Sequence, residues 1–241
     1  MTAERPRLLL AGDTALTVEL GDSVDPAVNA RVIALDRALA DAKLAGIVET
    51  VPTYRSLQIH YDPDMLPAET LMATMERLAV GLDDTLASGR RWTVPVSYGG
   101  AHGIDLEAVA ERTGLTTDGV VACHMAGDYR VYMIGFQPGF TYLGGLDPKL
   151  HLPRREVPRL KTPAGTISVG GIQAAVASIE APSGWHLLGQ TPVRAFDAVR
   201  TDPFLFRPGD RIRFERISAA EFDALARRAA EDGWLPPCEA G

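Results

Sequence analysis

The chain of 241 residues has two cysteines, Cys123 and Cys238, far apart and without CxxC spacing. A disulfide framework and a cysteine metal knuckle are therefore both excluded, and the two read as buried or tail thiols. Positive charge is also scarce. Lysine and arginine number 24 against 31 acidic residues, giving a formal charge of -7 and a pI near 5.3. A nucleic-acid partner depends on clustered cations that release counterions, so it is excluded on this balance. No apolar run approaches the ~20 residues needed to cross a bilayer. The opening MTAERPRLLLAGD has neither the apolar block nor the cleavage site of a signal peptide. A cytoplasmic protein without a membrane partner is expected. Internal repeats and low-complexity tracts are missing apart from Ala-rich helices, as are GxxxxGK[ST], GxGxxG, HExxH and GxSxG. The common phosphate, zinc and serine-hydrolase templates thus fail, and no metal site is expected.

What is present is enough apolar residue, 46%, for a full core, and more length than one average domain needs. RLLLAGD and ALTVEL read as two strands joined at Gly12 and Asp13. Asp25 caps a helix with Pro26 at its first position. Val28, Val32, Leu35, Leu39 and Ala42 fall on one stripe of it, and Gly46 stands where a left-handed helix exit belongs. IVETVP and SLQIHY follow as strands, the second with Leu57, Ile59 and Tyr61 on one face and Gln58, His60 and Asp62 on the other. A second helix carries Leu71, Met75, Leu78 and Leu82. The order strand, strand, helix, strand, strand, helix predicts a two-layer α+β domain over residues 1–88. Polar DDTLASGRR marks its end.

From WTVPVSY onward, over residues 89–241, short alternating segments broken by Gly and Pro predict a mainly β sandwich or barrel. Two short helices interrupt it, one opened by Asp105 and ending at Gly114, the other opened by Thr116 and ending near Gly127. RPGDRIRF is a turn and a strand with Ile212 and Phe214 inward, and residues 218–231 form a closing helix.

Chemistry must come from dispersed residues. In HLPRREVPRLKTPAG, Arg154, Arg155, Arg159 and Lys161 fall within eight residues of an otherwise acidic chain. Pro153, Pro158 and Pro163 deny the segment a helix, so the cations sit on extended or looping backbone. Two readings stand: a wall that meets a carboxylate, phosphate or carboxyphosphate-like ligand, or a solvated loop. In GFQPGFTYLGGL the glycines permit positive φ and close backbone approach, while Pro138 stiffens the turn. That segment is either a rigid wall with aromatic faces or a bulge and tight turn whose aromatics fill a core. His124 and Gln173 complete the candidate set. His124 reads as an acid or base, or as a helix-end histidine satisfied by backbone. Trp185 reads as core or pocket wall.

VPVSYGG, DLEAVAERTGL, CHMAGDYRVYMIGFQPGFTYLGGL, PRREVPRLKTPAG, GGIQ, SGWHLLGQTPVRAFD and PGDRIRF, in this order, resemble the allophanate hydrolase subunit 1 family. AGDTALTVELGD and VPTYRSLQIHYDP extend the resemblance over nearly the whole chain. It implies a small α+β domain followed by a cyclophilin-like barrel, and a site shared with a companion of the allophanate hydrolase subunit 2 family. The function it implies first is that of the B component of an ATP-dependent 5-oxoprolinase, inactive alone. With the C component, which is the subunit 2-like companion, and a third, A, component, it opens 5-oxo-L-proline to L-glutamate.

On that reading ATP enters at the level of the complex. His124 serves as acid or base, and Arg154, Arg159 and Lys161 offset developing negative charge. Phe136, Pro138, Gly139, Tyr142, Gly171, Gln173 and Trp185 line the substrate pocket. The resemblance also admits half of a biotin-dependent carboxyltransferase, with biotin on another chain, and a non-catalytic histidine-kinase inhibitor. Gln137, Thr141, Ile172, Ala174 and Gln190 depart from the family's pattern.

Overall fold

A computed structural model of the chain describes residues 5–82 and 89–240. The chain forms two compact units, residues 1–87 and 88–241. The domain boundary expected near residue 88 lies outside the described residues. Among the described residues, no helix is long and apolar enough to cross a membrane.

The first unit runs β1 (Arg7–Leu10), β2 (Ala15–Glu19), α1 (Pro26–Ala42), β3 (Ile47–Pro52), β4 (Ser56–Tyr61) and α2 (Ala68–Leu78). Its strands form an antiparallel sheet in the order β1-β2-β4-β3. Asp25 caps α1 as its sequence predicts, its carboxylate accepting from the amides of Ala27 at 2.7 Å and Val28 at 3.2 Å. Val32, Leu35 and Leu39 of the expected stripe are buried, and they share one core with Leu16, Val18, Leu57, Ile59, Leu71 and Met75. Ala42 is exposed. The helix exit differs from expectation. Lys43, not Gly46, takes the left-handed conformation at the exit, with φ 48°. Gly46 also has positive φ, 92°, and a Cβ there would lie 2.8 Å from that of Leu66, so glycine is required on both counts.

The second unit runs β5 (Arg91–Tyr98), α3 (Leu106–Thr113), α4 (Thr117–Met125), β6 (Tyr129–Ile134) and β7 (Thr141–Gly144). It continues through β8 (Arg159–Thr162), β9 (Thr166–Gly170), β10 (Gln173–Val176), β11 (Ala181–Ser183) and β12 (His186–Gln190), and ends with β13 (Arg211–Arg216), α5 (Ala219–Glu231) and β14 (Cys238–Glu239). Seven strands close a barrel in the order β12-β9-β10-β7-β6-β13-β5, because β12 bonds to β5 as well as to β9. The pair β5–β13 is parallel. β14 adds to β5, and β8 pairs with β11 outside the barrel. Alternation sends Val94, Val96, Val131, Leu143, Ile167, Val169, Val176, Leu188, Ile212 and Phe214 inward, so side chains fill the interior. Both short helices form where expected, but Asp105 makes no side-chain bond to the start of α3. Its carboxylate is used elsewhere.

One buried carboxylate ties the starts of the two parallel strands. Asp210, 4% exposed, accepts from Arg90 Nη2 at 2.7 Å, Arg90 Nε at 3.2 Å, Trp92 Nε1 at 3.0 Å and the Arg207 amide at 3.0 Å. The Pro-Gly turn expected before β13 thus carries its own lock. Asp210→Ala strips four donors on three residues of their acceptor and is expected to cost about 3 kcal/mol, the lower end for a broken buried pair because Arg90 is a third exposed. Urea unfolding of wild type and variant measures it; a loss within about half a kcal/mol would mean the network carries no stability.

Candidate functional site

Strand β6 runs into GFQPG because that loop must reverse the chain tightly and hold an aromatic outward. Within it the Gly135 amide donates to Phe140 O at 3.1 Å, and the Phe140 amide to Gln137 O at 3.1 Å. Ser178, just past β10, donates through Oγ to Pro138 O at 2.5 Å and pins the turn from outside. Gly139 has φ 74°, and a Cβ there would lie 2.7 Å from that of Phe196. Glycine is required on both counts. Phe136 also has positive φ, 67°, although it carries a full side chain, and it is 64% exposed. Left-handed backbone costs a non-glycine residue ~1–2 kcal/mol, which the pinned loop sustains.

Outside the barrel, Phe136 meets Phe140 edge-on at 5.6 Å. Phe140 lies 4.8 Å from Tyr142 and 6.5 Å from Trp185, and Tyr142 lies 6.0 Å from Trp185. Ala175 and Ala177 complete this apolar cluster, apart from the barrel core. A Cβ at Gly170 would strike the indole of Trp185 at 2.8 Å, so glycine makes room for the ring. Gln173, half-buried two residues before Ala175 on β10, shares its face. Gly171 pairs with Leu152, donating its amide to Leu152 O at 2.7 Å, and so brings the arginine segment alongside. Arg154 there sets its guanidinium 5.3 Å from the Trp185 ring centre, a cation–π contact. Burial pushes the Tyr142 hydroxyl up, and the charge of Arg154 opposes that shift.

The other cations do not join it. Arg159 grips Asp105 with both terminal nitrogens, at 2.9 and 2.6 Å, and Arg155 Nη1 reaches the same carboxylate at 3.4 Å. Asp105 also accepts the Leu187 amide at 2.8 Å. Lys161, its side chain 79% exposed, pairs with Glu180 at 2.8 Å. The expected cationic wall therefore divides: Arg154 faces the aromatic surface, Arg155 and Arg159 neutralise a buried carboxylate, and Lys161 is a solvated surface pair. Asp105 is the residue that sequence reasoning missed, since its place before α3 matched ordinary cap chemistry.

His124 is corrected most. It is fully buried, with Tyr98 OH 2.9 Å from Nδ1, and it packs against Phe214 at 4.7 Å and Tyr129 at 5.2 Å. The backbone does not satisfy it: Tyr98 OH meets Nδ1, and among the described residues the buried Nε2 has no hydrogen-bond partner. Burial pushes its pKa down to about 3 from 6.5, and burial likewise pushes the Tyr98 and Tyr129 hydroxyls up. A depressed pKa contributes stability that is whole above 6.5 and is lost as pH falls from there through about 3. Below pH 6.5 the wild type is expected to lose stability faster than His124→Gln, by up to about 1.4 kcal/mol per pH unit. Parallel urea-midpoint curves for the two proteins would contradict this. Gly139→Val is expected to destabilise by roughly 2–5 kcal/mol, from strained φ plus overpacking. Gly171→Ala, with φ 63° and open space around it, loses only the ~1–2 kcal/mol of strain. Equal melting temperatures for the two variants would refute the crowding at Gly139.

Residues 6–206 match the family described as carboxyltransferase domain, subdomain C and D. The chain is 36% identical over 88% of its length to the B subunit of 5-oxoprolinase from Bacillus subtilis strain 168, covering 93% of that protein. It is 39% identical over 88% of its length to the B subunit of 5-oxoprolinase from Escherichia coli O157:H7, covering 96% of it. Among solved structures it is similar to TTHA0988, with a TM-score of 0.76 and 38% identity over 85% of this chain; it spans 40% of that longer chain. A matched family model over most of its length, two full-length relatives and a shared fold make this chain a member of the carboxyltransferase domain, subdomain C and D, family.

Proposed function

We propose that the chain is the B component of an ATP-dependent 5-oxoprolinase, opening 5-oxo-L-proline to L-glutamate within a cytoplasmic complex with its C and A companions, and turning over nothing alone. The observation that carries this reading is its likeness to the B subunits of two bacterial 5-oxoprolinases. The aromatic face suits the substrate. A five-membered lactam presents a flat apolar ring and a carboxylate. Phe136 and the half-buried Tyr142, backed by the buried Phe140 and Trp185, offer the ring a wall, Arg154 offers the carboxylate a two-point contact, and Gln173 can orient the amide. ATP, bound at the level of the complex, supplies the phosphoryl group that activates the lactam oxygen. Arg154 fits an anionic group by charge and exposure. The same reading takes the first unit as a two-layer α+β domain ending near residue 88, and the second as a cyclophilin-like barrel.

The family's description favours a second reading, half of a biotin-dependent carboxyltransferase, in which Arg154 would hold a carboxylate and biotin would arrive on another chain. Co-expression with the companion chains separates the two: oxoproline-dependent glutamate release supports the first, and bicarbonate- and biotin-dependent carboxylation supports the second. In the assembled complex, Arg154→Ala is expected to lower turnover roughly a hundredfold, as for loss of a preorganised electrostatic contact. Its melting should stay within about half a kcal/mol of wild type. Lys161→Ala is expected to leave both turnover and melting near wild type. Glutamate release that survives Arg154→Ala and fails in Lys161→Ala would reverse the assignment of the two cations.

A further inference from the structure

A second concentration of positive charge lies on the barrel wall formed by β5, β13 and β6, on other strands than the β7 and β10 that carry the aromatic face. Register sets Arg91 beside Arg211 across the parallel pair, and Arg211 beside Arg130 across the antiparallel one, where Arg130 is buried and lies outside the cleft that the other two line. Arg213 follows Arg211 by two positions on the same face, because Trp92, Ile212 and Phe214 turn into the core. Arg91, Arg211 and Arg213 line a cleft of about 320 Å³, closed on its other side by Met125, Ala126, Gly127 and Asp128.

Like charges directly opposite on neighbouring strands destabilise a sheet, so the row needs counter-charge. Little is at hand. Asp128 takes Arg211, at 3.2 and 3.3 Å, and is itself 81% exposed. Glu239 stands beside Arg91 across the β14 pairing. Among the described residues, Arg91 and Arg213 make no ion pair or side-chain hydrogen bond. In a chain of net charge -7, two uncommitted guanidinium groups next to a third are an arrangement that an anion completes.

We propose that this cleft is a binding site for a phosphate-bearing anion, held by Arg91, Arg211 and Arg213. Guanidinium forks match phosphate oxygens two at a time, and the cleft has room for a phosphate or diphosphate. The site is independent of the chemistry assigned to the aromatic face. Its source is either free diphosphate or the phosphates of a nucleotide.

Thermal melts of the full chain at constant ionic strength, with added sodium pyrophosphate, ADP or sodium chloride, test it. Pyrophosphate is expected to raise the melting temperature saturably where chloride does not. Half-saturation for Arg91→Gln and Arg213→Gln should be weaker by roughly tenfold or more, the loss expected for one charge-assisted contact. Without anion both variants should melt at or above wild type, since each relieves like-charge repulsion. That keeps the test clear of misfolding. Equal half-saturation by pyrophosphate and ADP makes free diphosphate sufficient, and tenfold tighter ADP makes a nucleotide the source; either supports the site. Responses identical to chloride, or undiminished in both variants, overturn it.

Discussion

The arrangement of the aromatic face depends on the buried carboxylate of Asp105. Two guanidinium groups and a backbone amide converge on it from the Pro-rich segment and from β12, while its own backbone begins α3. A carboxylate 5% exposed is tolerable only when its lone pairs are filled, and the bidentate grip of Arg159 with the Leu187 amide does that. This adds to the bonds that hold the segment elsewhere, of His186 with Pro153 O at 2.9 Å and of the Arg155 amide to Gly184 O at 2.7 Å. With Arg155 and Arg159 turned to Asp105, Arg154 is left to lie over Trp185. One ion-pair cluster thus withholds two of the four neighbouring cations from the aromatic cluster.

The glycine loop performs the matching task on the other side of the aromatic cluster. Its hydrogen bonds, and the contact of Ser178 with Pro138, hold a short turn rigid enough to keep Phe136 in a left-handed conformation. A free loop would relax that strain. An exposed phenylalanine held in it is stabilised by its surroundings and is aimed at something beyond its own core. The ring stands 5.6 Å from that of Phe140, which is buried with Trp185, so Phe136 and the half-buried Tyr142 are what the cluster shows to solvent.

Much of this architecture is written in local pattern. The α1 cap at Asp25, its buried stripe, the inward set of β4 and the strand after Pro208 and Gly209 follow from periodicity and cap chemistry alone. What pattern does not reveal is competition for one side chain. Asp105 sits where a cap belongs, yet two arginines some fifty residues away hold its carboxylate more strongly than helix amides would. The same limit applies to the cations. Their spacing shows a cluster, but alternation on a short strand and distant acids decide which face each takes. His124 illustrates what a burial pattern hides. An imidazole near a helix end resembles chemistry, whereas the barrel surrounds it with aromatic rings and one tyrosine hydroxyl. Lys43 and Gly46 show why turns are read only to within a few residues: the helix exit falls at Lys43, three positions before the glycine.

The division of labour on the aromatic face has a consequence for mechanism. Phe136, Gln173 and Arg154, backed by the buried Phe140 and Trp185, can meet a flat ring with a carboxylate, but the aromatic rings and the amide among them carry no acid–base group. Tyr142, the remaining member, has its hydroxyl pushed further from neutrality by burial. His124, whose imidazole has the ordinary range for that work, is sealed in the core with its pKa depressed. Opening an amide needs both charge stabilisation and proton transfer, and the face holds only part of the first. On the proposed function, this chain therefore supplies recognition, and the acid–base group comes to the exposed side of the cluster from a companion chain. Arg154, held in place by Trp185 before any ligand arrives, loses little freedom when it meets one. A half-site of this kind binds weakly by itself and gains its effect when the second half closes over it.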